Sequence, residues 1–339
     1  MAGVLIAAVV AAVTTCSAAS ATPAGRSGDA TAPVPSIGCR TSPPPSGSSL
    51  HAFTASGRSG DYLREVPRVA SGVPVPVVFD VHGYLQPGAL QSAWSGMAAY
   101  GARHGFAVIT PETHALPPQW DYGNGGVDIR FLSALLTHVE RTLCVDKRRV
   151  YMTGLSMGGF TVSSVACQLA DRVAAVAPVS GLQNFSWCRP ARHVPVVAFH
   201  GTGDEILSYS GGVGPRGRLL PATDGTPRTI GQQAGDGARV RLVPNTQSIP
   251  AQTAAWARRN GCAPRPATRK VTPDVSRTSY ACAPGSSVEL YTILGGGHNW
   301  PGGDPTLAAT PITGRITSSI SATAIIWDFF RKHPLTTLR

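Results

Sequence analysis

The chain has 339 residues and a formal charge of +11 at pH 7, carried almost wholly by arginine, since Lys147, Lys270 and Lys332 are the only lysines. Ordinary apolar content with plentiful Gly and Pro excludes a disordered polyelectrolyte and fits a loop-rich globular protein with one large core or two smaller ones. The basic residues are scattered, with no stripe of interleaved aromatics, so the charge reads as a solvated surface suited to anionic polymers or cell envelope. Nucleic acid is not an expected partner.

Residues 1–21 carry no charge, and Val4 to Val13 is an apolar run of signal-peptide length, too short to span a bilayer comfortably. Ala19-Ser20-Ala21 fits a small-x-small cleavage pattern, although a basic start is missing. Cys16 follows Val13-Thr14-Thr15, which is a poor lipidation box. The expected chain is therefore exported, with no stable membrane span. Residues 22–49, rich in Pro, Ser, Gly and Ala, read as a flexible arm before a single domain over 50–339. Without Cys16, six cysteines remain: Cys39, Cys144, Cys167, Cys188, Cys262 and Cys282. An even set in an exported chain reads as disulfides. Several pairings stay open. Local spacing favours Cys262 with Cys282, allows Cys167 with Cys188, and leaves Cys39 with Cys144 to tether the arm.

Within the domain, Asp61 to Val66 and Val73 to Val81 read as strands, the second with prolines at its start. Ala89 to His104 suits a helix, Phe106 to Pro111 a short strand, and Asp128 to Leu143 an amphipathic helix with Asp128 in its first turn. Val173 to Val179, Val194 to His200 and Val288 to Leu294 are further apolar strands. Ile249 to Asn260 and Ser321 to Lys332 are helices. Ser208 to Ser248 has the composition of no regular element and reads as a rim or lid. Strands alternating with helices predict an α/β fold, a mostly parallel sheet with helices on both faces.

Three loops carry chemistry. Val150, Tyr151 and Met152 form a buried strand that runs into Gly154-Leu155-Ser156-Met157-Gly158, and Phe160 to Leu169 can continue as a helix. Strand, tight turn and helix are the context in which Gly-x-Ser-x-Gly presents a nucleophile; the competing reading of Ser156 is a helix-capping serine. His82-Gly83-Tyr84 follows an apolar strand directly. Its backbone is placed to give one oxyanion donor, the N–H of Tyr84, beside the N–H of Met157. His82 itself reads as structural. Asp204 follows the strand ending at His200, and His298 lies in a glycine-rich loop after the last strand. The order Ser156, Asp204, His298 suits a general base oriented by a carboxylate, a set that needs no metal or organic cofactor. Trp120, Tyr122 and Trp300 are candidates for a substrate wall.

Together, Gly-Leu-Ser-Met-Gly-Gly, Phe-His-Gly-Thr-Gly-Asp, Gly-Gly-Gly-His-Asn-Trp-Pro-Gly-Gly and the final Ile-Trp-Asp-Phe-Phe-Arg-Lys-His-Pro resemble the secreted polyhydroxybutyrate depolymerase and feruloyl esterase family, α/β-hydrolases related to acetylxylan esterases. The resemblance spans roughly residues 57–334. It implies an α/β-hydrolase fold, Ser156 as nucleophile, Asp204 as acid, His298 as base and the backbones of Tyr84 and Met157 as oxyanion donors. It also implies half-cystines at Cys144, Cys167, Cys188, Cys262 and Cys282. The implied substrates are carboxylic esters, feruloyl or acetyl on plant polysaccharide or polyhydroxyalkanoate polyesters. The chain departs from the family pattern at Val127-Asp128-Ile129-Arg130-Phe131 and at Ile206-Leu207-Ser208-Tyr209, both near the expected pocket rim. An envelope acyltransferase and a non-catalytic envelope binding protein on the same scaffold are the alternative readings.

Overall fold

The computed structural model describes residues 1, 3, 32–41, 44–235, 246–307 and 309–336. The apolar run, Cys16 and the cleavage pattern lie outside these residues. In chain order, a 3-10 turn (Ile37–Arg40) precedes β1 (Gly47–Ala55), β2 (Arg58–Val66), β3 (Val75–Val81), α1 (Gly88–Ser95), α2 (Met97–His104), β4 (Ala107–Thr113) and α3 (Val127–Thr142). The central unit is β5 (Val145–Leu155), α4 (Met157–Gln168), β6 (Ala175–Val179) and β7 (Val196–Gly201). A 3-10 turn (Gly217–Leu219), α5 (Ile230–Gly235), α6 (Ile249–Arg259), β8 (Ala267–Thr272), β9 (Val275–Tyr280), β10 (Val288–Ile293), α7 (Thr310–Thr313) and α8 (Ala322–Phe330) complete it.

The ten strands among the described residues form one sheet in the order β1-β2-β4-β3-β5-β6-β7-β10-β9-β8. The six from β4 to β10 run parallel, and an antiparallel pair closes each edge. Strand periodicity divides the core between the two faces. Val77, Phe79 and Val81 of β3 face α3, α4 and α6 with Leu132, Leu136, Val165 and Trp256. Val78 and Tyr151 face the other way, toward Trp94, Met97, Ile326 and Phe330 of α1, α2 and α8. With both faces covered, the parallel strands are apolar almost throughout, which makes them readable from sequence.

The structure departs from the sequence reading in particular places. The helix expected over 89–104 is two helices, broken at Gly96, whose φ of 62° lies in the left-handed region. The fold also begins upstream of residue 50. Pro35 bridges Asp146, the Ser36 hydroxyl donates to Leu143 O at 2.8 Å, and β1 starts at Gly47. Segment 208–248 contains α5 and the 3-10 turn, so it is partly regular. The disulfides are Cys39–Cys144, Cys167–Cys188 and Cys262–Cys282. No helix among the described residues is long and apolar enough to cross a membrane.

Candidate active site

Because β5, β7 and β10 are parallel, the loops that follow them leave from the same edge of the sheet. Ser156, Asp204 and His298 all lie in those loops. The turn at Ser156 is sharp. The residue has φ 57° and ψ −120°, a region costly for any side chain with a Cβ. It is held there from both sides, with its N–H donating to Val179 O at 2.9 Å and its carbonyl accepting the first helical bond from Phe160 at 3.1 Å. The turn also requires β3 to approach closely. A Cβ on Gly158 would lie 2.1 Å from Val81 O, and one on Gly154 2.6 Å from the same atom. The Ser156 side chain makes no capping hydrogen bond to α4, which argues against the reading of a capping serine.

The Asp204 carboxylate is buried and saturated with donors. Its Oδ1 accepts the N–H groups of Ile206 and Leu207, both at 2.9 Å. Its Oδ2 accepts His298 Nδ1–H at 2.8 Å and lies 3.3 Å from His200 Nε2, as the weaker branch of a bond that His200 Nε2–H makes chiefly to Leu207 O at 2.8 Å. Burial alone would raise this carboxyl, but the imidazole of His298 and the hydrogen bonds from both histidines outweigh it and hold Asp204 well below the usual carboxylate range. With Nδ1–H committed to Asp204, the lone pair of His298 lies on Nε2. The histidine loop is fixed by backbone: His298 N–H donates to Thr313 O at 2.6 Å, and Asn299 Nδ2 donates to Gly314 O at 2.9 Å.

Residues 82–84 lie against the serine, since a Cβ on Gly83 would come within 3.2 Å of Ser156 Cβ. Gly83 N–H donates to Gln86 Oε1 at 2.8 Å and Leu85 N–H to Pro118 O at 2.9 Å. The Tyr84 N–H between them has no acceptor among the described residues. Met157 occupies the first position of α4, where a helix offers no acceptor for an N–H. Both groups are thus available to an anion beside Ser156, and the α4 dipole favours one there.

His82 is wholly buried, donates Nδ1–H to Gly83 O at 2.8 Å and is pushed down to about 4 by burial. It is a neutral strut in this loop. Trp120 and Trp300, considered above as substrate walls, are 0 % and 1 % exposed and offer no ring face to a ligand. Trp120 instead supports the loop, with its indole N–H donating to His82 O at 2.9 Å. Trp300 donates to Thr323 Oγ1 at 2.9 Å, which ties the histidine loop to α8. Tyr122 is half-buried against Phe160 and Phe185. The sequence reading missed His200 as a partner of Asp204; its place four residues ahead of the acid, at a strand end, was the available signal.

No family model matches the chain. Among curated proteins it is similar to feruloyl esterase B of Piromyces equi, 33% identical over 177 residues that make up 50% of this chain and 28% of that protein. It is also similar to poly(3-hydroxyalkanoate) depolymerase C of Paucimonas lemoignei, 27% identical over 288 residues, 76% of this chain and 64% of the depolymerase. The chain therefore spans less than two thirds of either relative. Among solved structures, the acetyl xylan esterase from Aspergillus awamori superposes with a TM-score of 0.50 at 17% identity, covering 74% of this chain and 94% of that one. The last likeness is one of fold. The chain is thus similar in sequence to a feruloyl esterase and a poly(3-hydroxyalkanoate) depolymerase over part of their lengths, and it shares the fold of an acetyl xylan esterase.

Proposed function

We propose that the protein is an exported serine esterase that hydrolyses carboxylic esters through an acyl-enzyme, with Ser156 as nucleophile, His298 as general base and Asp204 as the acid that orients it. The observation that carries this reading is the 2.8 Å bond from His298 Nδ1–H to buried Asp204, at the sheet edge where Ser156 sits on its strained turn. As Ser156 Oγ attacks the ester carbonyl carbon, its proton passes to His298 Nε2. Asp204 stabilises the resulting imidazolium. The carbonyl oxygen becomes an oxyanion between the N–H groups of Tyr84 and Met157, and each such donor is worth about 3 kcal/mol of barrier. On collapse, His298 returns the proton to the departing alcohol. Water then repeats the sequence against the acyl-enzyme and releases the carboxylic acid. The names of the relatives point to feruloyl or acetyl esters of plant polysaccharide, or to hydroxyalkanoate polyesters, as substrates. Three disulfides suit a chain that works outside a reducing cytosol.

The test is hydrolysis of a short-chain p-nitrophenyl ester, methyl ferulate and a hydroxybutyrate oligomer by the wild-type protein and by Ser156→Ala. Activity that disappears in the variant supports the esterase, and the preferred ester identifies the substrate class. If both proteins are folded and equally inert, the reading is wrong. If acyl transfer to an added sugar outruns release of the acid, the enzyme is a transferase.

A further inference from the structure

Between β7 and α6 the chain inserts the segment from 207 to 235, which packs Leu207 and Ile230 into the main core, and one side chain joins this insertion to the oxyanion loop. Ala222, Thr223, Ile230 and Gln233 are all buried. Gln233 Oε1 accepts the Thr223 N–H at 3.2 Å and its hydroxyl at 3.3 Å, which holds the turn at 221–223 against α5. That turn presents two carbonyls to the Tyr84 hydroxyl, which donates to Pro221 O at 3.1 Å and Ala222 O at 3.0 Å. Burial, with a smaller contribution from the charge of Asp224, pushes this phenol up to about 12, so it remains a donor at any working pH.

The loop on the other side of this contact needs holding. Leu85 sits at φ 61°, a conformation that side chains with a Cβ rarely adopt. Gly83 and Leu85 are tied by their backbone N–H groups, whereas the N–H of Tyr84 must stay free to serve the oxyanion. The tether of Tyr84 is therefore its side chain.

We propose that the insertion acts through the Tyr84 hydroxyl as a latch that fixes the Tyr84 N–H in its oxyanion-binding position. A substrate seated against the insertion thereby bears on catalytic competence as well as on affinity. Tyr84 is a positioning residue through its side chain. The proposal rests on the esterase reading of Ser156, Asp204 and His298.

The experiment compares wild type, Tyr84→Phe, Gln233→Ala and the double variant. Tyr84→Phe keeps the ring and the backbone N–H and loses only the hydroxyl. Gln233→Ala loosens the 221–223 turn from within the insertion. Two readouts are taken: kcat and KM on a short p-nitrophenyl ester, and amide hydrogen exchange in peptides covering 82–86 and 219–224. Tyr84→Phe is expected to lower kcat about tenfold, a fraction of the loss on deleting an oxyanion donor, with KM changed less than about twofold. Exchange should quicken in both peptides. Gln233→Ala should shift kcat the same way, and the double variant should match Tyr84→Phe, because both act through one contact. An unchanged kcat in Tyr84→Phe, fully additive losses, or faster exchange confined to 219–224 would each overturn the latch. If wild type cleaves no ester, the esterase reading falls while the exchange measurement still decides the latch: quickening in both peptides supports it, and quickening in one refutes it.

Discussion

Asp80 carries a cost that pH should reveal. It lies on β3, two residues before His82, and is wholly buried. Gln91 Nε2 donates to its Oδ1 at 2.7 Å and the Ser95 hydroxyl to its Oδ2 at 2.5 Å. Burial outweighs these two bonds and pushes the carboxyl from its ordinary 3.8 up to about 7. A carboxyl raised in the folded state stabilises the fold fully below its unfolded value and loses that contribution as pH rises through the folded one. The window is therefore pH 4 to 7, and a shift of roughly three units corresponds to about 4 kcal/mol. Asp80→Asn removes the titration and preserves the contacts, because the carboxamide oxygen still accepts from Gln91 and its NH2 can donate to Ser95 Oγ. The variant should match wild type near pH 4 and exceed it by about 2–4 kcal/mol at pH 8, the lower figure allowing for relaxation around the ionised group. Urea unfolding midpoints at half-unit steps from pH 4 to 8, with disulfides intact, give this difference directly. A difference that is flat across the range, or that shrinks as pH rises, would show that Asp80 is ionised at little cost and that the argument is wrong.

Further outcomes follow from the same geometry. Asp204→Asn should leave the fold intact while lowering kcat by up to about 10⁴-fold, the loss known for this change in serine proteases, because His298 would no longer be held with its lone pair on Nε2. A loss below tenfold in steady-state kinetics would remove Asp204 from the mechanism. Gly158→Ala puts a Cβ 2.1 Å from Val81 O, a backbone atom of a central strand, and should cost about 1–3 kcal/mol in thermal unfolding together with most of the activity. Replacing Cys39 and Cys144 together by Ser opens a link between positions 105 residues apart, worth about 4 kcal/mol in denaturant. Initial rates at 25 °C should be unaffected, because the link lies at the far end of the sheet from Ser156.

The central sheet and the site loops were legible because their chemistry leaves few options. Strands buried on both faces must be apolar almost throughout, as Val75 to Val81 is apart from Asp80, and a turn pressed as closely against β3 as the one at Ser156 must be flanked by glycines. The edges were hidden for equally physical reasons. In β1, exposed Leu50 alternates with His51 and Phe53 on the inner side, so polarity reverses the pattern expected of a half-buried strand. All but the last residue of β8 are exposed, which leaves it no apolar face to detect. The burial of Trp120 and Trp300 was equally unreadable, since an aromatic side chain in a loop can face substrate or support the backbone behind it. The pull of His200 on Asp204 depends on how the turn after β7 folds the acid back beside the end of its own strand, a geometry that the four-residue spacing suggests but does not fix.

The anchoring of Pro35, Ser36 and Leu335 has a practical consequence. Pro35 and Ser36 bind at the start of β5, where Asp146 and Val145 receive them, and Leu335 exchanges bonds with Arg148 a few residues on. Ser156 follows the other end of that eleven-residue strand, roughly 30 Å away. Any fusion, tag or surface linkage attached at residue 34 or at residue 336 therefore leaves from the pole opposite the catalytic edge. Immobilised through either of these positions, the protein would face the edge that carries Ser156 outward, away from the support.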